Sequence, residues 1–480
     1  MIGRDARMPR PAGALVIVAA GFLLGGCVTR EHFVPPPPPA PLRVVMPPAA
    51  ALPTEPLTVD EAVRIALERN PDLRVAAARV AEAQARLAET EATFWPHLGA
   101  EVSFLRADAP SAYLFKRIDA HALPASADFN DTPSFSNLEA GLTLRWNLWR
   151  GGRDQLGRWA ADADIGIAQL GRDAVANALA AAVVAACLDA RAASELLATD
   201  DASVRAVEAQ VAESRVKVEG GAALRSDLLS LEVRLAEARQ QRVRTAIARR
   251  LALATLRELL ALPADASLVL ADAAYDAGPL PETAAQALTE AYRRRPETFA
   301  ARRAVERAQI DLATAERAYL PRLDLESRLY GDDAEVRLEP GDPNWTVAVA
   351  LSVELLDGGA RAAGVRRARA ALDDLTESDR KALLLVAREV ETAYLRLEEA
   401  RARLAVAVQA VGAAEESLEL VSVQYRGGAA TVTRFLEAEA ARMRARTARI
   451  QAELDVSRAA VEARRAMGWL AGASAWGGEG

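Results

Sequence analysis

Histidine and cysteine are almost missing from this chain, with three and two in 480 residues. A metal cage of imidazole and thiolate is therefore excluded for most geometries, and no metal or cofactor is expected. His32, His97 and His121 have no nucleophile motif around them, so no enzyme chemistry is expected either. Aromatic residues are scarce at 5%, while Ala, Leu, Arg and Glu dominate. That composition suits long amphipathic helices better than a mixed α/β enzyme. An excess of basic residues is also lacking: the net charge is −7 with the signs interleaved, which excludes a nucleic-acid surface. The body holds no run of eighteen apolar residues, so a transmembrane helix is not expected.

What is present begins with an address. Arg4, Arg7 and Arg10 precede an apolar run from Ala14 to Leu24, the pattern of a secretory signal. It ends in Leu24-Gly25-Gly26-Cys27, which resembles the bacterial lipobox. The resemblance implies that 1–26 is a lipoprotein signal peptide, removed so that acyl chains such as palmitate on Cys27 tether the protein to a membrane. Val28 in place of Asp implies, by the same resemblance, the outer membrane. Residues 27–56 then form an acylated N-terminus and a stiff spacer, with Pro35 to Pro39 in unbroken series. Cys187 is left without a disulfide partner, and its Ala/Val-rich surroundings mark it as a small buried hydrophobe.

The body is an internal repeat. Arg69 to Leu98 aligns with Arg294 to Leu323 at an offset of 225, keeping among others Pro71, Ala76, Val80, Gln84, Glu91 and Pro96. Gly151-Gly152 matches Gly358-Gly359, and Gly220-Gly221 matches Gly427-Gly428, both at 207. The difference places a longer insertion in the first half. The first repeat is expected over 57–280, with a helix, a β-hairpin at about 97–148 and a long helical hairpin at about 152–262. The second is expected over 281–470, with a helix, a β-hairpin at about 322–356 and a long helical hairpin at about 359–470. A tail, 471–480, remains. Asn70-Pro71 and Arg295-Pro296 should break the opening helices, which start near Val59 and Glu282.

The strands alternate with period two. Leu138, Ala140, Leu142, Leu144 and Trp146 oppose Asn137, Glu139, Gly141, Thr143 and Arg145. Trp345 to Leu355, Leu323 to Leu329 and Leu98 to Phe104 repeat the pattern. These runs have the length of tilted transmembrane strands, with Trp95, Trp149 and Trp345 near their ends. Two hairpins supply four strands, too few to close a barrel. An open edge in lipid leaves backbone groups unpaired at several kcal/mol each. Three copies would close twelve strands, so a homotrimer is expected. The helices that lead to Gly220-Gly221 and Gly427-Gly428 run about 65 residues, on the order of 100 Å at 1.5 Å per residue. Their apolar spacing suits long helical hairpins, and a free coiled coil fits too, but attached to membrane strands they would reach most of the way across a periplasm.

These marks together resemble the TolC family of outer-membrane efflux proteins. They are Leu57-Thr58-Val59-Asp60-Glu61-Ala62 with Arg69-Asn70-Pro71, Trp95-Pro96-His97-Leu98, Leu355-Leu356-Asp357-Gly358-Gly359, and Tyr425-Arg426-Gly427-Gly428. The resemblance implies a mixed, mainly α fold: a trimeric twelve-stranded transmembrane β-barrel, four strands per chain, continuous with a long α-helical barrel. It implies an outer-membrane channel that passes cargo by gated conduction. Its partners would be a periplasmic adaptor, an inner-membrane transporter, for which the resistance-nodulation-division type is one candidate, and outer-membrane lipid. Glu101, Glu139, Arg145, Asp324, Glu326, Arg328 and Glu354 would line the wet barrel lumen. The periplasmic gate would lie at the hairpin turns Gly220, Gly221, Gly427 and Gly428. There Asp227 and Tyr425 occupy the family's linking positions, and a hydrogen bond between them would have to break on opening. Arg434 and Glu437 occupy the constriction positions, with Arg434 departing from the family's acidic pattern. The rival expectation is a periplasmic adaptor lipoprotein, but that class surrounds a single helical hairpin with compact β-domains. The cargo is not legible in the sequence.

Overall fold

A computed structural model describes residues 56–128, 130–221, 224–272, 275–333 and 343–468. The signal peptide, Cys27, the Pro-rich spacer and the tail lie outside the described residues. The chain divides into two compact units. One comprises Gln84–Asp162 and Ala308–Leu372; the other comprises 56–83, Ala163–Arg307 and 373–468 among the described residues.

The elements run α1 (Val59–Arg69), α2 (Pro71–Ala92), β1 (His97–Ala107), α3 (Pro110–Asp119), β2 (Phe135–Trp149), α4 (Arg153–Glu219) and α5 (Arg225–Leu259). The second half continues with α6 (Ala284–Arg294), α7 (Pro296–Glu316), β3 (Arg322–Asp333), β4 (Asn344–Ser352), α8 (Ala360–Arg426) and α9 (Val432–Ala466). Helices α4 and α8 each have 67 residues, and α5 and α9 each have 35. Each length therefore recurs, with the starts 207 residues apart.

Local chemistry sets the helix starts in the same register. Thr58 accepts from the Glu61 N–H at 3.3 Å while the Thr58 N–H donates to the Glu61 carboxylate at 3.3 Å. Thr283 and Gln286 repeat this reciprocal cap 225 residues on. Such boxes satisfy donors that the first helical turn leaves unpaired. Each opening helix then stops before its proline, whose ring cannot follow a helical residue.

The helical unit contains two equivalent cores. Ala62, Ala66, Leu179, Val183, Ala186, Leu256 and Leu260 pack α1 between α4 and α5. Ala287, Ala291, Val386, Val390, Ala393, Ala463 and Met467 pack α6 between α8 and α9. Each residue of the second set stands 225 or 207 positions after its counterpart. Cys187 lies in the first core, and burial pushes its thiol up to about 12. Helix α4 does carry a stretch apolar enough to cross a bilayer by composition, built largely of alanine, but 61% of that stretch is buried. It is a core helix.

The sheet corrects the expectation of two separate strand pairs. All four strands form one antiparallel sheet in the order β1-β2-β3-β4, because β2 also pairs with β3. Leu142 pairs with Ala100 on one flank and with Leu329 on the other. Strand β4 ends at Ser352, short of the expected 355. The insertion of the first half is a helix, α3, which the alternation pattern did not announce.

Candidate channel wall and gate

Residues directly opposite in a β-ladder share a face. Leu98 pairs with Leu144, Ala100 with Leu142, Val102 with Ala140 and Phe104 with Leu138. Trp146 pairs with Leu325 and Leu142 with Leu329; beyond them Leu325 pairs with Val349, Leu323 with Leu351 and Leu329 with Trp345. One face of the sheet is thus apolar across all four strands. It is also uncovered: Leu98 is 68% exposed, Leu351 69% and Trp345 73%. A sheet folded for water would bury this face.

The other face is polar. Glu101 pairs with Gly141, Ser103 with Glu139, Arg145 with Glu326, Thr143 with Arg328 and Asp324 with Ala350. Six of the seven wall residues named from sequence therefore share a face. Glu354 does not, because it lies beyond the end of β4. Nor is Glu139 a solvated wall residue. It is 8% exposed and ion-paired to Arg328 and to Lys116 of α3. Lys116 also reaches Asp332 at 3.1 Å, and Asn137 donates to the same Asp332 oxygen at 2.5 Å. Partial burial opposes the Lys116 charge, yet its bonds to Glu139 and Asp332 carry its pKa above the ordinary lysine value. Sequence reasoning missed this cluster, although Pro110 at the first helical position was a usable signal.

Tight turns connect the strands to the long helices. Gly151, Gly152, Gly358 and Gly359 all have positive φ. A Cβ on Gly151 would lie 2.7 Å from the Leu320 Cβ. Asp357 caps α8, accepting from the Gly359 N–H at 2.9 Å and the Arg361 N–H at 2.8 Å. The hydrogen bonds from the Arg361 backbone and side chain, with that from Gly359, hold its carboxyl at about 2.

At the other end of the long helices, Gly221 and Gly428 adopt positive φ. Val207, Val211, Leu231 and Val432 form a core there, with Leu228 and Tyr425 packed against it. Asp227 sits in the first turn of α5 and Tyr425 in the last turn of α8. The expected hydrogen bond does not join them. The Tyr425 ring stacks on Phe435 instead, with centroids 5.1 Å apart. Burial pushes the Tyr425 phenol above its ordinary pKa; Lys217 opposes this, while Asp227 and Glu213 add to it. Arg434 and Glu437 lie on the exposed side of α9, and no ion pair joins them among the described residues.

Comparison with known proteins gives this geometry its context. The model of the family described as outer membrane efflux protein matches residues 62–262 and 287–469. The chain belongs to that family. As an outer membrane efflux protein it is 26% identical over 415 residues to the pyoverdine export outer membrane protein OpmQ of Pseudomonas putida, covering 85% of each chain. Its fold matches the crystal structure of a membrane protein from Pseudomonas aeruginosa, with TM-score 0.72 and 23% identity, covering 85% of this chain and 93% of that one. It also matches the open-state MtrE outer membrane channel of Neisseria gonorrhoeae, with TM-score 0.72 and 20% identity over 85% and 88% of the two chains. The efflux protein's sheet and paired long helices are those of outer-membrane channels.

Proposed function

We propose that three copies of this efflux protein close a twelve-stranded barrel and conduct cargo passively across the outer membrane. A periplasmic adaptor and an inner-membrane pump would deliver the cargo. The observation that carries the reading is the sheet itself. Its apolar face is exposed on every strand, and β1 and β4 are edges without a partner in the chain among the described residues. In lipid such edges must be paired, and copies related by a threefold axis pair them without leaving a gap. Glu101, Arg145, Asp324, Glu326 and Arg328 then face water inside the barrel. The repeat boundaries follow the paired helix lengths, and acylation of Cys27 adds a lipid anchor.

The gate lies at the Gly220-Gly221 and Gly427-Gly428 turns, with Asp227, Tyr425, Arg434 and Glu437 around it. Packing of Tyr425 beside the Val207 and Val432 core, and the Asp227 charge felt by its phenol, support this placement. An adaptor is disfavoured, since one four-stranded sheet and two long helical hairpins leave no compact β-domains among the described residues.

The protein purified in detergent is expected to run as a trimer by light scattering. It should resist SDS until heated and form discrete conductances in planar bilayers. A monomer soluble without detergent, with no β signal by circular dichroism, overturns the reading.

A further inference from the structure

The two ends of the sheet differ. At one end all four strands join helices α2, α4, α7 and α8. At the other, where β1 ends and β2 begins, the chain folds α3 back onto the polar face. Tyr113 of α3 meets Phe135 edge-on, with centroids 5.5 Å apart. Lys116 pairs with Glu139 and Asp332. The Asp119 carbonyl accepts from the Asn344 side chain at 2.8 Å. Phe135, Glu139, Asp332 and Asn344 belong to three strands, and ladder parity puts all of them on the polar face.

The contact is built to hold. The Asp332 side chain is fully buried and that of Glu139 is 10% exposed. Removing a partner from charges so desolvated is strongly unfavourable. The opposite side of α3 is different. Phe115 is 64% exposed and Ile118 is 46% exposed, three residues apart and so on one helix face. An amphipathic helix here turns its charge to the wall and its apolar side to the lumen.

We propose that α3, latched by Lys116, is a second constriction, at the barrel mouth remote from the long helices. The inference rests on the trimeric barrel argued above. Twelve strands about 4.8 Å apart and tilted ~40° enclose a ring roughly 24 Å across. Three helices each about 10 Å wide, seated just inside that rim, take up most of the opening. Their Phe115 and Ile118 side chains narrow the remainder with an apolar collar, a surface that resists filling by water. The collar admits small external solutes and excludes bulky ones, and outward cargo passes when α3 swings from the wall.

The test labels a lumen cysteine from outside intact cells. Ala348 faces Glu326 on the polar face and is exposed. Ala348→Cys is combined with the native α3, with Lys116→Met, or with 110–119 replaced by a Gly/Ser linker. Lys116→Met leaves Glu139 with Arg328, and it is made together with Asp332→Asn so that no buried charge is stranded beside Asn137. The parent chain without Ala348→Cys supplies the background. A small maleimide should label all three variants alike. A maleimide carrying a bulky polyethylene glycol should label the native-α3 variant slowly. It should label the other two about tenfold faster, equivalent to ~1.4 kcal/mol of opening free energy. Equal bulky-reagent rates in all three, with small-reagent labelling intact, overturn the constriction. No labelling of any variant by the small reagent overturns the channel reading itself.

Discussion

Arg361 and Asp357, four residues apart, close the turn from β4 into α8 with the Arg361 Nε 2.7 Å from the Asp357 Oδ2. The first half places Arg150 and Asp154 at the equivalent positions, with the signs exchanged and 3.8 Å between the charged atoms. Only the second-half arrangement, with the carboxylate first, also caps the helix, because an acceptor is needed at a helix N-terminus.

Acid therefore acts on one turn more than the other. The Asp357 carboxyl is depressed from 3.8 to about 2. A depressed carboxylate contributes stability above its unfolded value and loses it as pH falls through the folded one. The β4–α8 turn should weaken between about pH 4 and pH 2. Acid titration of trimer stability should show this limb in the native protein and a flatter one in Asp357→Asn. Identical limbs would remove the cap from the account.

The paired glycine turns should not tolerate alanine equally. Gly151→Ala meets Leu320 as well as the cost of positive φ, whereas a Cβ on Gly358 meets nothing within 4 Å. The expected losses are ~2–4 kcal/mol at Gly151 and ~1–2 kcal/mol at Gly358. The temperature at which SDS-resistant trimers dissociate should fall further for Gly151→Ala. The reverse order would contradict the packing.

Arg295, between α6 and α7, has a side chain only 5% exposed, held by Glu389 at 2.6 Å and Glu297 at 2.9 Å. Arg295→Met leaves Glu389 with Arg465 alone and Glu297 without this partner, and with both carboxylates about a third exposed it should cost ~1.5–3 kcal/mol. Glu389→Gln leaves Glu297 in place and should cost ~1 kcal/mol. Chemical denaturation followed by circular dichroism in detergent compares them, and equal losses would argue that Glu297 does not neutralise Arg295.

At the gate, Asp227→Ala combined with Tyr425→Phe should raise single-channel conductance. The aromatic ring is kept, so stacking on Phe435 survives and only the polar coupling is lost. Unchanged conductance would show that these two residues do not hold the channel narrow.

Much of the architecture was legible before any coordinates. Leu138 to Trp146 alternates within a single strand, and alternation alone sorts side chains to two faces. The Gly-Gly pairs and the Pro-limited helices are likewise local signals, so the repeat and the helix lengths could be read directly. The polar assignments of Glu101, Arg145, Asp324, Glu326 and Arg328 came from the same parity.

Three features needed the fold. Pairing of Leu142 with Leu329 joins residues far apart in the chain, and no local pattern specifies which strand lies beside which. Glu139 looked like any other polar-face carboxylate until α3 brought Lys116 against it. Asp227 and Tyr425 were expected to share a hydrogen bond, but the folded turns leave that bond unmade while the Tyr425 ring stacks on Phe435. What the sequence determined by itself was which way each side chain points, since that depends on backbone period alone. What only tertiary structure decided was which side chains meet, since long-range contacts arise from chain closure that no short segment encodes.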